Sequence, residues 1–229
     1  MFNTLSNAIS RMHSAFWNLF SDSTIEIPSD DCLTAEASEF IVADDLTIGL
    51  REFELRNYSA AASALARVSS DDLSNFAIAQ EWLGTTFLKA ERPDLAIEPL
   101  RRALQLDAQL GRDPLTLAEC HFSLGLAYAR TGHDEAALGE FRDALRCTPN
   151  WGTVLFEIAR VHARRNRIVQ TVSTLSLAAR QDEAFLDRAR HDFDFATVRQ
   201  SVDFQRLMGK HGDDSLRPTL IHPKKDGTV

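Results

Sequence analysis

The chain has 229 residues, of which 44% are hydrophobic and 25% are charged, and its net charge is −8 at pH 7. This composition is ordinary for a globular protein of one or two domains. The sequence predicts no integral membrane segment, because no uninterrupted apolar run approaches the roughly 18 residues of a spanning helix. It also predicts no binding to nucleic acid, because such binding requires a concentrated basic surface and the sequence has no stripe of basic residues.

The cysteines and the motif content argue against catalysis. Cys32, Cys120 and Cys147 are an odd number with no CxxC pair, which disfavours a disulfide framework or structural zinc and favours a reducing cytoplasm. Common catalytic motifs are missing from the sequence, so we expect a protein that is not an enzyme, with no catalytic residue, metal site or cofactor. His121 follows Cys120, and neighbours on a helix point about 100° apart, so one should be buried and the other should lie at the surface.

Two segments precede the main body of the chain. Residues 1–20 have apolar side chains three or four positions apart, which predicts an amphipathic helix. This helix has three possible roles: an extra packing element, a segment that docks on the protein's own groove, or a contact with a partner, another copy or a membrane surface. Residues 21–41 predict an acidic linker, since positions 12–50 hold eight acidic residues and no Lys or Arg.

An internal repeat of 34-residue units follows. Its columns are Ile48-Gly49, Leu83-Gly84, Leu124-Gly125 and Ile158-Ala159; then Ala61, Ala96, Ala137 and Thr171; then Leu65, Leu100, Phe141 and Leu175; then Val68, Ala103, Ala144 and Ala178. Two antiparallel helices per unit require such columns, because a small residue on the first helix lets the second approach and a large residue fills the gap beside it.

One unit carries a family resemblance most clearly. Residues 118–151 contain Leu124-Gly125, Tyr128, Gly132, Ala137, Phe141, Ala144 and Pro149. This pattern resembles the tetratricopeptide repeat (TPR). The resemblance implies an all-α, right-handed α-solenoid of four helix pairs at residues 42–75, 77–110, 118–151 and 152–185. Capping helices at 186–210 and a disordered tail at 211–229 would complete the chain, and Asp113-Pro114 predicts a helix start between units two and three.

The resemblance also implies a binding site on the first helix of each unit. The predicted residues of this peptide-binding groove are Leu50, Phe53, Glu81, Thr85, Leu88, Lys89, Phe122, Leu126, Arg130, Phe156, Arg160 and Arg164. Their apolar floor and positive end suit an apolar or amphipathic segment of a partner that carries acidic residues.

The implied function is therefore a non-catalytic adaptor that binds a protein or peptide. Alternatives are a secretion-type chaperone, although such chaperones usually have three repeats, and a self-associating or auto-inhibited scaffold. Part of the apolar set could instead be buried between repeats. The sequence indicates neither the partner nor the oligomeric state.

Overall fold

The computed structural model describes residues 44–212, with side chains up to residue 209. Within this range the chain forms ten α-helices and one short 3-10 helix, and no strand. The α-helices are α1 (Asp45–Glu54), α2 (Tyr58–Leu65), α3 (Leu73–Lys89), α4 (Pro93–Leu110), α5 (Pro114–Arg130), α6 (Asp134–Cys147), α7 (Gly152–Arg164), α8 (Ile168–Ala179), α9 (Ala184–His191) and α10 (Val202–Gly212), and the 3-10 helix is Phe193–Phe195. The segments predicted as an amphipathic helix (1–20) and a linker (21–41) lie outside the described residues, as does the tail after Gly212.

Eight of these helices form four hairpins that stack in chain order. Within each hairpin the first helix packs on the second, as α3 does on α4 and α5 on α6, and each second helix also packs on the first helix of the next hairpin. The first helices α1, α3, α5 and α7 also contact one another in sequence. Since the contacts run from neighbour to neighbour, the fold is an α-solenoid, as predicted.

The small and large columns of the sequence meet inside the hairpins. A Cβ atom added to Gly125 would lie 2.5 Å from Cε1 of Phe141, and one added to Gly49 would lie 2.5 Å from Cγ of Leu65. Phe141 and Leu65 are both fully buried. The prediction that a small residue on the first helix admits a large residue from the second is therefore confirmed.

Acidic caps fix where several first helices begin. The Asp113 carboxylate accepts hydrogen bonds from the backbone N–H groups of Leu115 (3.0 Å) and Thr116 (3.1 Å), and Pro114 is the first helical residue. The helix start predicted at Asp113-Pro114 is confirmed. Asp44 caps α1 in the same manner, with 2.7 Å between its carboxylate and the Thr47 nitrogen. These caps supply acceptors for N–H groups that have no partner within the helix.

An aromatic cluster holds the C-terminal cap on the fourth hairpin. Phe195 lies 5.7 Å from Phe156 of α7 and 6.0 Å from Phe204 of α10, as measured between ring centroids. All three rings are buried. Val202 of the cap, although apolar, does not join this cluster and is 67% exposed. Val202 begins α10, and Phe204, two positions further along and hence on another side of the helix, fills the core instead.

Candidate functional site

The twelve predicted groove residues lie on the first helices of the four hairpins. They are Leu50 and Phe53 on α1; Glu81, Thr85, Leu88 and Lys89 on α3; Phe122, Leu126 and Arg130 on α5; and Phe156, Arg160 and Arg164 on α7. Because these four helices contact one another in order, the structure brings the predicted residues onto consecutive elements.

The six apolar groove residues are buried. Their exposed fractions are 5% for Leu50, 6% for Phe53, 2% for Leu88, 0% for Phe122, 4% for Leu126 and 1% for Phe156. Phe53 stacks edge-on against Trp82 of the next first helix, with 5.0 Å between ring centroids. Phe122 similarly lies 4.9 Å from Trp151. These side chains pack between hairpins in this structure, and their contact with a partner stays a prediction.

The fourth hairpin's groove residues are engaged by the chain's own cap. The guanidinium of Arg188 lies 4.6 Å from the centroid of the Phe156 ring. Arg160 forms ion pairs with Glu157 (3.0 Å), Asp192 (3.0 Å) and Asp194 (2.8 Å). Burial alone would lower the pKa of Arg160, but these three carboxylates raise it overall. The charge of this arginine is therefore compensated within the protein.

Arg164 is compensated in the same way. It pairs with Asp134 at 2.7 Å and with Asp194 at 3.5 Å. Its neighbours Arg165 and Arg167 both contact Glu135. At the fourth hairpin, the positive end expected from the sequence is thus a set of ion pairs that joins the third hairpin, the fourth hairpin and the cap.

Lys89 and Arg130 retain accessible surface at the ends of α3 and α5. Arg130 is exposed and Lys89 is half-buried. Burial, together with the charges of Arg130 and Arg56, lowers the pKa of Lys89 to about 8. We call Lys89 and Arg130 the basic rim. Of the predicted groove residues on these two helices, this pair is the most open to solvent.

Side-chain bonds connect the ends of successive first helices. Arg130 donates to the carbonyl oxygen of Leu88 (3.0 Å), and Arg164 donates to that of Ala129 (3.2 Å). Thr197 of the cap donates to the carbonyl of Ala163 (3.0 Å). Each of these carbonyls also accepts a bond from the backbone N–H three residues later. The side-chain donor therefore adds a second bond at the C-terminal end of the helix. Sequence reasoning missed this feature, although a basic residue at the same repeat position in α5 and α7 was a visible signal.

The loop between the second and third hairpins, residues 111–113, supplies a positive charge to a buried acidic site. Arg112 lies 3.6 Å from Asp107 and 3.8 Å from Glu81. Asp107 is 1% exposed, and burial raises the pKa of its carboxyl while Arg112 partly opposes this. The predicted groove residue Glu81 is therefore linked to this loop through Arg112. The hydroxyl of Thr85, another predicted groove residue, donates to the backbone carbonyl of Glu81 at 3.0 Å.

The adjacent Cys120 and His121 point in different directions, as predicted. Cys120 is fully buried, and its thiol lies 3.6 Å from the carbonyl oxygen of Leu100. Burial raises the pKa of this thiol well above its usual range. His121 is half-buried, and its Nδ1 lies 2.7 Å from the Glu140 carboxylate on α6. The two side chains therefore do not form a nucleophile and base pair.

Stacked helical hairpins with aligned first helices define the class of helical-repeat proteins. Residues 75–150, in the second and third hairpins, match the family model of the tetratricopeptide repeat. The crystal structure of MamA is similar, with a TM-score of 0.59, 17% sequence identity, and coverage of 72% of this chain and 90% of MamA. The comparison with curated proteins gives no match.

Tetratricopeptide repeats generally mediate protein–protein interactions, and proteins with this fold are typically non-catalytic scaffolds. Among the described helices, none combines the length and apolarity that would be needed to cross a membrane.

Proposed function

We propose that the protein is a non-catalytic adaptor that holds a helical or extended apolar segment of a partner along its first helices. The observation that carries this proposal is the side-by-side contact of α1, α3, α5 and α7, which offers one continuous face for a peptide. The bonds from Arg130 to Leu88 and from Arg164 to Ala129 fix the relative positions of three of these helices.

The contacts between the fourth hairpin and the cap support a narrower binding region. Phe156, Arg160 and Arg164 already contact the cap, so we place the binding region on α1, α3 and α5. Its accessible part is the basic rim of Lys89 and Arg130. The apolar groove residues of these helices are buried, so a partner reaches them only if they gain exposure on binding.

The basic rim determines the charge of the partner segment. Two cations at the ends of neighbouring helices favour a carboxylate on the bound segment, because complementary charges steer association and fix register. The proposed partner segment is therefore apolar with at least one acidic residue, and its binding weakens as salt concentration rises.

Site-specific photo-cross-linking in the native host tests this assignment. A benzophenone amino acid replaces Lys89 or Arg130 in the full chain, and the matched control places it at the exposed Arg101 of α4. We expect both rim positions to cross-link the same partner. The control position should not cross-link that partner, and it should not capture any other protein at comparable yield. Equal capture from Arg101, or co-purification of a partner without cross-links from the rim, would contradict the proposal.

The affinity of that partner then tests the charge argument. Reversing the rim with Lys89→Glu and Arg130→Glu should weaken binding and remove most of its salt dependence. Arg101→Glu should leave both unchanged. Circular dichroism melting of each variant separates a loss of binding from a loss of fold.

A further inference from the structure

The third hairpin carries a cluster of metal-ligand side chains outside the predicted groove set. His121 lies on α5, and Glu140 and Asp143 lie on α6. One potential ligand atom from each residue falls within 4.8 Å of the other two. We propose that His121, Glu140 and Asp143 bind a divalent cation of the zinc type.

The hairpin geometry accounts for this arrangement. Glu140 and Asp143 are three residues apart on α6, so they share one helix face. Cys120 is buried in the core, which turns His121 about 100° away from it on the same helix. The close contact between Gly125 and Phe141 holds α5 against α6. All three ligands thus stand on packed helices, which position ligands more precisely than loops do.

The ligand types select the class of metal. An imidazole nitrogen with two carboxylate oxygens suits Zn²⁺ and its usual substitute Co²⁺. Ca²⁺ and Mg²⁺ prefer oxygen ligands alone, so the imidazole disfavours them. Three protein ligands leave a fourth tetrahedral position, which a water molecule would fill.

A buried carboxylate lies near the cluster. Asp107 is 1% exposed, and neither of its carboxylate oxygens has a hydrogen bond. It lies close enough to His121 for the two charges to interact. Arg112 approaches Asp107 only to 3.6 Å and is shared with Glu81. Glu140, whose carboxylate lies 2.7 Å from Nδ1 of His121, and Asp107 thus place negative charge beside the cluster.

Two existing contacts compete with the metal. Glu140 already pairs with His121, and Asp143 contacts Arg146 through its Oδ1 atom. Arg146 is 78% exposed, so an exposed pair of this kind contributes little stability and gives way readily. Binding also requires a neutral imidazole, so affinity should fall as the pH is lowered.

Titration of the full-length, tag-free, metal-stripped protein tests the proposal. Isothermal titration with Zn²⁺ should show one saturable site, and Co²⁺ should give the absorption bands of a low-symmetry site. Glu140→Gln, Asp143→Asn and His121→Ala should each weaken Zn²⁺ binding by about tenfold or more, since even outer-shell changes cost about 10–100-fold. The matched controls, His133→Ala and Glu135→Gln in the same hairpin, should bind as the wild type does.

Two results of these titrations would contradict a metal site at His121, Glu140 and Asp143. No saturable Zn²⁺ binding by the wild type, or equal binding by all variants, would overturn the assignment. If His121→Ala does not fold, Asp143→Asn decides alone, because its side chain is 37% exposed and its substitution leaves the core intact. Thermal melting of each metal-free variant checks this.

Discussion

The guanidinium of Arg164 on α7 donates to the backbone carbonyl of Ala129 on α5, 35 residues earlier, with 3.2 Å between the two atoms. The same side chain pairs with Asp134 (2.7 Å) on the third hairpin and with Asp194 (3.5 Å) in the cap. One side chain thus connects three successive parts of the solenoid. Stability in such proteins depends on the interfaces between neighbouring units, so this residue should affect the whole described chain.

We predict that Arg164→Met lowers the free energy of unfolding by about 1.5–3 kcal/mol, the usual contribution of hydrogen bonds to charged groups. The side chain is 29% exposed, which limits screening by water. The control is Arg146→Met, whose ion pair is 78% exposed on the arginine side and should cost at most about 1 kcal/mol. Urea denaturation measures both, and equal losses would show that Arg164 has no special role between the hairpins.

A matched pair of glycines tests the packing inside the third hairpin. Gly125→Ala should destabilise the protein by about 1–3 kcal/mol through overpacking, because the new Cβ would lie 2.5 Å from the Phe141 ring. Gly139→Ala on α6 meets nothing within 4 Å and should stabilise it by about 0.5–1 kcal/mol, the helix preference of alanine over glycine. Opposite signs in thermal melting support the close approach; the same sign for both contradicts it.

The packing was predictable from the sequence because it repeats. The columns that contain Gly125 and Phe141 recur in every unit, and a small residue that recurs in phase with a large one is the pattern that two closely packed helices require.

The ion pairs were not predictable, because Arg160 and Arg164 pair with Asp194 at separations of 34 and 30 residues, in a cap that follows no repeat. In the sequence alone, these two arginines suggested a binding surface, because the carboxylates that pair with them could not be identified. Likewise, the sequence pattern indicates that Phe122 lies on an apolar helix face, but it does not indicate whether a partner or Trp151 covers the ring.

The perturbed amine of Lys89 makes stability depend on pH in a defined direction. Its folded-state pKa is about 8, below the ordinary value of 10.5, so between these values the unfolded chain binds more protons than the folded one. This group therefore adds stability as the pH rises from about 8 to 10.5. The wild type should gain stability relative to Lys89→Met over that window. Urea denaturation at pH 7.5, 9 and 10 measures the difference, and a constant difference would contradict the lowered pKa.

A second variant separates the causes of that shift. Burial is the largest cause, followed by the charges of Arg130 and Arg56. Arg130→Met should move the Lys89 pKa part of the way back towards 10.5, as followed by NMR of a labelled lysine. An unchanged pKa would show that the charge of Arg130 contributes nothing to the shift.

Cys120 and Cys147 should differ sharply in reactivity, although both are free thiols. The thiolate is the reactive form, and burial raises the pKa of Cys120 well above its usual range. Cys147 is only partly buried. In a Cys32→Ser background, N-ethylmaleimide followed by peptide mass spectrometry should modify Cys147 within minutes and Cys120 only at the rate of unfolding. Rapid modification of Cys120 without urea would mean that α5 separates from Leu100 in the native state, and the solenoid would then open between its second and third hairpins far more often than its packing implies.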